Sequence, residues 1–147
     1  MSDKFSLQRF VNAQNPVLEQ VVQELRQGRK QTHWMWFVFP QVFGLGCSAI
    51  AERYAIRSMA EATAYLDHPI LGNRLLECVA LTRKIEQKNA KEVFGYPDDL
   101  KFRSSLTLFR ETAKEESLFS DALEKYFAGE HDTRTLEILR SWKMSKL

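Results

Sequence analysis

The chain has 147 residues, the size of one ordinary domain, and its 44% hydrophobic and 27% charged residues are typical of a globular protein and exclude wholesale disorder. The 21 Lys and Arg residues barely outnumber the 19 Asp and Glu residues, so the net charge of +2 does not favour nucleic acid as a general partner. Cys47 and Cys78 form no disulfide framework, and no apolar run is long enough for a signal peptide or a membrane span, so we expect a cytoplasmic protein.

Two amphipathic helices are predicted at the N-terminus. The dipeptide Asn15-Pro16 indicates the start of the second helix, with asparagine as its N-cap and proline in its first turn. Gly28 indicates its end. The apolar stripes expected to face the core are Phe5, Leu7, Phe10 and Val11 in the first helix and Leu18, Val21, Val22 and Leu25 in the second.

The densest basic run, formed by Arg26, Arg29 and Lys30, falls at the end of the second predicted helix. Cations at this position interact favourably with the helix dipole. The alternative is a contact with a phosphate backbone, which the near-neutral charge of the chain disfavours. We therefore do not expect a nucleic-acid partner.

Residues 32–41, which we call the aromatic segment, are almost continuously apolar. Periodicity cannot separate a buried helix from a buried strand in so short a run, and we favour a short helix because its surroundings are helical. Aromatic side chains such as Trp36 are expected in the core. His33, Trp34 and Gln41 carry polar atoms that need partners, either in a ligand or in the protein.

Residues 44–49 fit the glycine spacing of a dinucleotide-binding turn. That spacing indicates a nucleotide site only within a strand–turn–helix unit beside other parallel strands, and none are predicted here. The favoured interpretation is a glycine turn that leads into a helix with Ser48 near its N-terminus.

The middle of the chain contains two further helix starts. Ser58 and Glu61 have the spacing of a capping box, and the helix they open is expected to end near Asp67. Pro69 then opens a longer helix, with His68 just before it and Arg74 one turn inside. A histidine at this position is more typical of capping than of catalysis, although both remain open.

Pro97 opens the helix with the clearest polar face. Asp98 and Asp99 occupy its first turn, where acidic residues are favourable. Lys101, Ser104 and Ser105 follow on one face, and an ammonium group beside two hydroxyls is a plausible anion site. The alternative is a surface ion pair between Asp98 and Lys101 with two packed serines.

Shorter helices are predicted from Asn89 to Gly95, from Ser117 to Gly129 and after Asp132.

These elements predict an all-α fold: a single multihelical globular domain over residues 1–147. No run of strands is predicted, and His33, His68 and His131 have no metal-site spacing. Neither a phosphate-binding loop nor a nucleophile elbow is present. We therefore predict no metal and no cofactor.

Several of these strings resemble domain-of-unknown-function family 1810. They are residues 33–41 (HWMWFVFPQ), 54–56 (YAI), 65–75 (YLDHPILGNRL) and 94–109 (FGYPDDLKFRSSLTLF). The resemblance runs from about Phe5 to Trp142. It implies an all-helical fold and a bacterial-type cytoplasmic protein, and it implies no activity, cofactor or catalytic residue.

The residues themselves suggest a protein that binds, or acts on, a small anionic and partly aromatic ligand such as a nucleotide derivative. Trp34 is expected to stack on a ring. Anion contacts are expected from Lys101, Ser104 and Ser105, and further polar contacts from Gln41 and Arg74. The candidate acid–base groups are His33 and His68, and Asp98 is expected to orient the ammonium of Lys101 or the substrate.

The alternative is a non-enzymatic interaction domain. It predicts that His33, Lys101 and Ser105 pair within the protein and that there is no open cavity. It also predicts an apolar patch exposed elsewhere on the surface, for example near Phe119 or Trp142.

Overall fold

A computed structural model describes residues 3–144. Within this range the chain forms a multihelical domain, as predicted. The helices are α1 (Gln8–Gln14), α2 (Leu18–Gln27), α3 (Met35–Val38), α4 (Ala49–Arg53), α5 (Met59–Asp67), α6 (Leu71–Arg83), α7 (Ala90–Phe94), α8 (Asp98–Thr112), α9 (Ser117–Phe127) and α10 (Thr133–Met144).

Helix α8 is the central element of the fold. It packs against α3, α5, α7, α9 and α10, and most of its second half is buried. Phe102 on α8 contacts the aromatic segment through Phe39, with ring centroids 4.9 Å apart, and α7 through Phe94, at 4.5 Å. Edge-to-face and tilted ring pairs of this kind add to the stabilisation from burial. The core thereby holds the aromatic segment against the N-terminal half of α8.

Several helix ends follow the predicted capping residues. Gly28 ends α2 with a left-handed φ of 75°. Ser58 accepts a hydrogen bond from the backbone N–H of Glu61, and Asn89 forms a complete capping box with Glu92. Asp132 accepts a hydrogen bond from the backbone N–H of Thr135 at 2.9 Å and so caps α10.

One predicted helix start and one predicted capping contact need correction. Asn15 is not the N-cap of α2, because it has helical φ and ψ and its N–H bonds to Val11, so it continues the last turn of α1. Helix α2 begins at Leu18. The side chain of Glu61 does not close a capping box with Ser58 either, because its carboxylate accepts hydrogen bonds from the backbone of Arg57 and the guanidinium of Arg9.

The residues between α3 and α4 form a loop that is closed at its base. Gln41 and Phe43 bond through their backbones to Ile56, each at 2.8 Å. The resulting bridge between Val42 and Ile56 is the β-type pairing found in residues 3–144, and no strand is formed there. The dinucleotide interpretation of residues 44–49 therefore lacks the parallel strands it requires.

Candidate ligand-binding cleft

An open cleft of about 420 Å³ lies where three distant parts of the chain meet. Its walls are the aromatic segment, residues 44–48 (the glycine loop) and the first two turns of α8, with the start of α10 at one side. Its size falls within the range of small-molecule sites. The lining residues are Trp36, Gln41, Leu45, Gly46, Cys47, Ser48, Ala51, Pro97, Leu100, Lys101, Ser104 and Asp132.

The aromatic segment is held in place by the buried carboxylate of Glu24. The indole Nε1 of Trp34 donates to it at 2.9 Å, the Thr32 hydroxyl at 2.6 Å, and the Gln31 backbone N–H at 2.7 Å. Burial acts to raise the pKa of Glu24, but the hydrogen bonds outweigh burial and lower the pKa to about 2. The carboxylate therefore stays charged and fixes the entry into α3.

This anchor determines which tryptophan faces the cleft. Trp34 is only 1% exposed and points into the core, so it is not available to stack on a ligand. The stacking role predicted for Trp34 from the sequence is therefore wrong. Trp36 lies two residues further along the single turn of α3, is half-buried and lines the cleft. The ammonium of Lys101 lies 5.0 Å from the centroid of the Trp36 ring, within the range of a cation–π contact.

Lys101 belongs to a group of three charges. Asp98 places one carboxylate oxygen 3.3 Å from Lys101 and the other 2.8 Å from Lys30. The Lys30 side chain is 6% exposed, and its ammonium lies 5.2 Å from the Trp34 ring. One carboxylate between two ammonium groups leaves the three side chains with a net positive charge. The ion pair of Asp98 with Lys30 is both shorter and more buried than its ion pair with Lys101.

The same contacts occupy one residue of the basic run. The side chain of Lys30 is 6% exposed and paired with Asp98. Arg26 and Arg29 remain exposed.

The two predicted serines differ in position. Ser104 lines the cleft and is 6% exposed, and its hydroxyl donates to the carbonyl of Leu100 at 3.1 Å, which leaves the hydroxyl oxygen able to accept a hydrogen bond. The Ser105 hydroxyl is buried, does not line the cleft and has no hydrogen-bond partner among residues 3–144. The α8 face therefore offers one ammonium donor and one hydroxyl acceptor, rather than the three donors expected.

The glycine loop supplies the wall opposite α8. A Cβ atom on Gly46 would lie 2.8 Å from the Cβ of Ala51, so the loop approaches α4 too closely for a side chain there. Ser48 caps α4 by accepting the Ala51 N–H at 3.1 Å, which leaves its hydroxyl hydrogen able to donate. Cys47 and Ser48 were not predicted as site residues, although the unusual glycine spacing marked this loop.

The predicted histidines and Arg74 lie outside the lining of the cleft. His33 is exposed. The Nδ1 atom of His68 accepts the backbone N–H groups of Ile70 and Leu71 at 3.1 and 3.2 Å, so it caps the start of α6. Arg74 donates to Gln14, which is part of a buried network. The structure thus joins Gln41, Asp98, Lys101 and Ser104 around one site and leaves His33, Trp34, His68, Arg74 and Ser105 outside it.

Metal and membrane features can be assessed for residues 3–144. No cluster of three or more His, Cys, Asp or Glu side chains there is arranged to hold a metal ion. No helix in that range has the length and apolar character that crossing a bilayer requires.

The two cysteines should differ sharply in reactivity. Cys47 is exposed at the cleft, whereas burial raises the pKa of the Cys78 thiol to about 12, and the thiolate is the reactive form. We expect a disulfide reagent such as DTNB to modify one thiol per folded chain within minutes and the second only after unfolding. The Cys47→Ser variant should show no fast phase. A fast phase that survives in this variant would contradict the burial of Cys78.

Comparisons with known proteins agree with this fold. The model of the DUF1810 family, described as a protein of unknown function, matches residues 4–139. The chain is also similar to the crystal structure of the conserved hypothetical protein Rv1873 from Mycobacterium tuberculosis, with 51% identity, a TM-score of 0.93, and coverage of 94% of this chain and 99% of that chain. A comparison with curated proteins gives no match. The chain belongs to the DUF1810 family of proteins of unknown function.

Proposed function

We propose that the cleft binds a small anionic ligand that contains a flat ring, such as a nucleotide derivative. The observation that carries the proposal is the pairing of Lys101 with Trp36. Their ammonium and indole groups are 5.0 Å apart and line the same open space. Together they offer an ion-pair partner and a stacking surface to one ligand.

The charges around Lys101 support an anion at that end of the cleft. Asp98 is shared between Lys30 and Lys101, and its contact with Lys30 is the closer of the two. Lys101 therefore keeps donor capacity that its contact with Asp98 does not use, because an ammonium group has three donors. Ser48 adds a hydroxyl donor from the opposite wall.

The proposal concerns binding. His33 and His68 were the candidate acid–base groups, and neither lines the cleft, so they give no support to catalysis at this site. Two cysteines without a disulfide between them suit a reducing compartment, and a cytoplasmic location is part of the proposal.

The interaction-domain alternative has weaker support. It predicted an exposed apolar patch and suggested Phe119 or Trp142 as its place, but Phe119 is 1% exposed and Trp142 packs against the core. Exposed apolar side chains lie instead at positions such as Phe43 and Ile50. It also predicted that no cavity would be open, whereas the cleft beside Lys101 is open.

A thermal-shift screen with nucleotides, sugar phosphates and simple anions tests the proposal. We expect nucleoside phosphates to raise the melting temperature, because a ligand at about 100 times its Kd adds about 2.7 kcal/mol to the stability of the folded state. Lys101→Ala should weaken binding about 10- to 100-fold, the range expected when a hydrogen bond to a charged group is lost. Inorganic phosphate, which lacks a ring, should stabilise the protein less than a nucleotide.

The matched control is Lys114→Ala, which removes the same charge beyond the other end of α8, where the side chain is 63% exposed. It should bind like the wild type. A bound ligand should also slow the modification of Cys47, which is a readout independent of stability. Stabilisation that is equal in the wild type, Lys101→Ala and Trp36→Leu, without protection of Cys47, would place binding elsewhere and overturn the proposal.

A further inference from the structure

We infer that the ring of the ligand carries an amino group, which Asp132 recognises at the α10 side of the cleft. This inference rests on the proposed function and narrows it to amino-substituted rings such as adenine and cytosine. It follows from the hydrogen-bonding capacity that the cleft residues retain after their contacts within the protein are made.

The first retained group is the hydroxyl of Ser104. Ser104 lines the cleft and is 6% exposed, and while its hydrogen is donated to the carbonyl of Leu100 at 3.1 Å its oxygen acts as an acceptor. The hydroxyl oxygen of Ser104 therefore favours a ligand with an N–H donor over one with a carbonyl.

The second retained group is the carboxylate of Asp132. Its Oδ2 atom accepts the backbone N–H of Thr135 at 2.9 Å and the hydroxyl of Thr135 at 2.6 Å. Its Oδ1 atom forms an ion pair with Arg103 at 3.7 Å, a distance that is too long for a hydrogen bond. Asp132 lines the cleft with a side chain that is 16% exposed, so Oδ1 can accept a hydrogen bond from a ligand beside this ion pair.

Asp132 and Ser104 differ from Lys101 in hydrogen-bonding character, because they offer acceptors whereas Lys101 offers donors. The ammonium of Lys101 and the hydroxyl of Ser48 suit the anionic part of a ligand, whereas Asp132 and Ser104 would repel it. A ligand that satisfies both sets needs an anion at one end and a donor on its ring. An exocyclic amino group meets this need, and a ring carbonyl at the same position would set oxygen against oxygen.

The expected difference in affinity between amino and carbonyl ligands depends on the charge of the Asp132 carboxylate. A hydrogen bond to a charged acceptor contributes about 1.5–3 kcal/mol, which corresponds to roughly a 10- to 100-fold difference in affinity. Sites built around such a bond reject analogues that lack the donor, because the acceptor is then left unpaired.

The test uses amino and carbonyl nucleotide pairs, AMP with IMP and CMP with UMP, in isothermal titration calorimetry. We expect at least one pair to bind the wild type with the amino member at least about tenfold tighter. The variant Asp132→Asn keeps the helix cap, because asparagine caps as well as aspartate, and its amide can donate to a carbonyl. In this variant the preference should fall to about threefold or less.

The remaining outcomes separate the two proposals. If both members of each pair bind equally and still need Lys101, the amino-group inference is overturned and the proposed function stands. A preference for the amino member that is unchanged in Asp132→Asn also overturns the inference. If none of the four nucleotides binds, the amino-ring class is excluded, and the thermal-shift screen with other anions decides the proposed function separately.

Discussion

Replacing Glu24 by Gln is expected to lower the free energy of unfolding by about 3 kcal/mol, because a buried carboxylate with several donors is lost. The side chain of Glu24 accepts from Trp34, Thr32, Gln31 and Gln20, and the residue is 1% exposed. An amide in its place carries no charge and turns an NH₂ group toward some of these donors. Urea unfolding followed by tryptophan fluorescence measures the loss.

The same residue predicts how stability depends on pH. The pKa of Glu24 is lowered from 4.5 to about 2 by folding, so its contribution is complete above about pH 4.5 and is lost as the pH falls toward 2. The shift corresponds to about 3 kcal/mol. The wild type should lose this stability over that pH range, and Glu24→Gln should not.

The matched control is Glu19→Gln, which removes an exposed carboxylate from the first turn of the same helix. It should change stability by less than about 1 kcal/mol and keep the acid dependence of the wild type. An equal acid dependence in Glu24→Gln would show that the carboxylate of Glu24 does not anchor the aromatic segment.

Gly72→Ala should also destabilise the protein strongly, by about 3 kcal/mol or more. The added methyl group would clash with backbone atoms, which cannot move aside as a flexible side chain can. A Cβ atom at this position would lie 2.0 Å from the carbonyl oxygen of Leu66 and 2.9 Å from its carbonyl carbon. Helices α5 and α6 would have to separate where the chain reverses at His68. Thermal and urea unfolding measure the effect.

Gly95→Ala is the comparison for this prediction. Its Cβ would meet nothing within 4 Å, so only its backbone conformation opposes the substitution: φ 77° with ψ 169° is a combination nearly restricted to glycine, at a cost of about 1–3 kcal/mol. If Gly72→Ala costs no more than Gly95→Ala, the close approach of α5 and α6 is not a significant constraint on the fold.

The helix boundaries that could be predicted are those fixed by local chemistry. Gly28, Ser58 and Asn89 end or begin helices through contacts within four residues, so the sequence contains the whole interaction. Asn15 misled the prediction because a cap residue followed by proline also fits a helical turn that simply continues. The all-α class followed from the absence of strand patterns and from the density of such signals.

The candidate site could be predicted only in part. Lys101 and Ser104 were found because helical periodicity places them on one face of α8. The exchange of Trp34 for Trp36 could not be foreseen, because a continuous apolar run has no polar face and the choice is made by Glu24, ten residues earlier. Asp132 joins the cleft through tertiary packing, which no local pattern encodes.

An NMR titration that follows the indole N–H signals of the tryptophans tests whether the cleft between Trp36 and Lys101 binds a nucleotide, with Trp36→Phe used for assignment. We expect AMP to shift the Trp36 signal in a saturable manner and to leave the Trp34 signal, which is bonded to Glu24, nearly unchanged. The same titration of Lys101→Ala should need at least about ten times more nucleotide. If nucleotides, including those that stabilise the protein, leave the Trp36 signal unmoved at millimolar concentration, the cleft between Trp36 and Lys101 is not a ligand site.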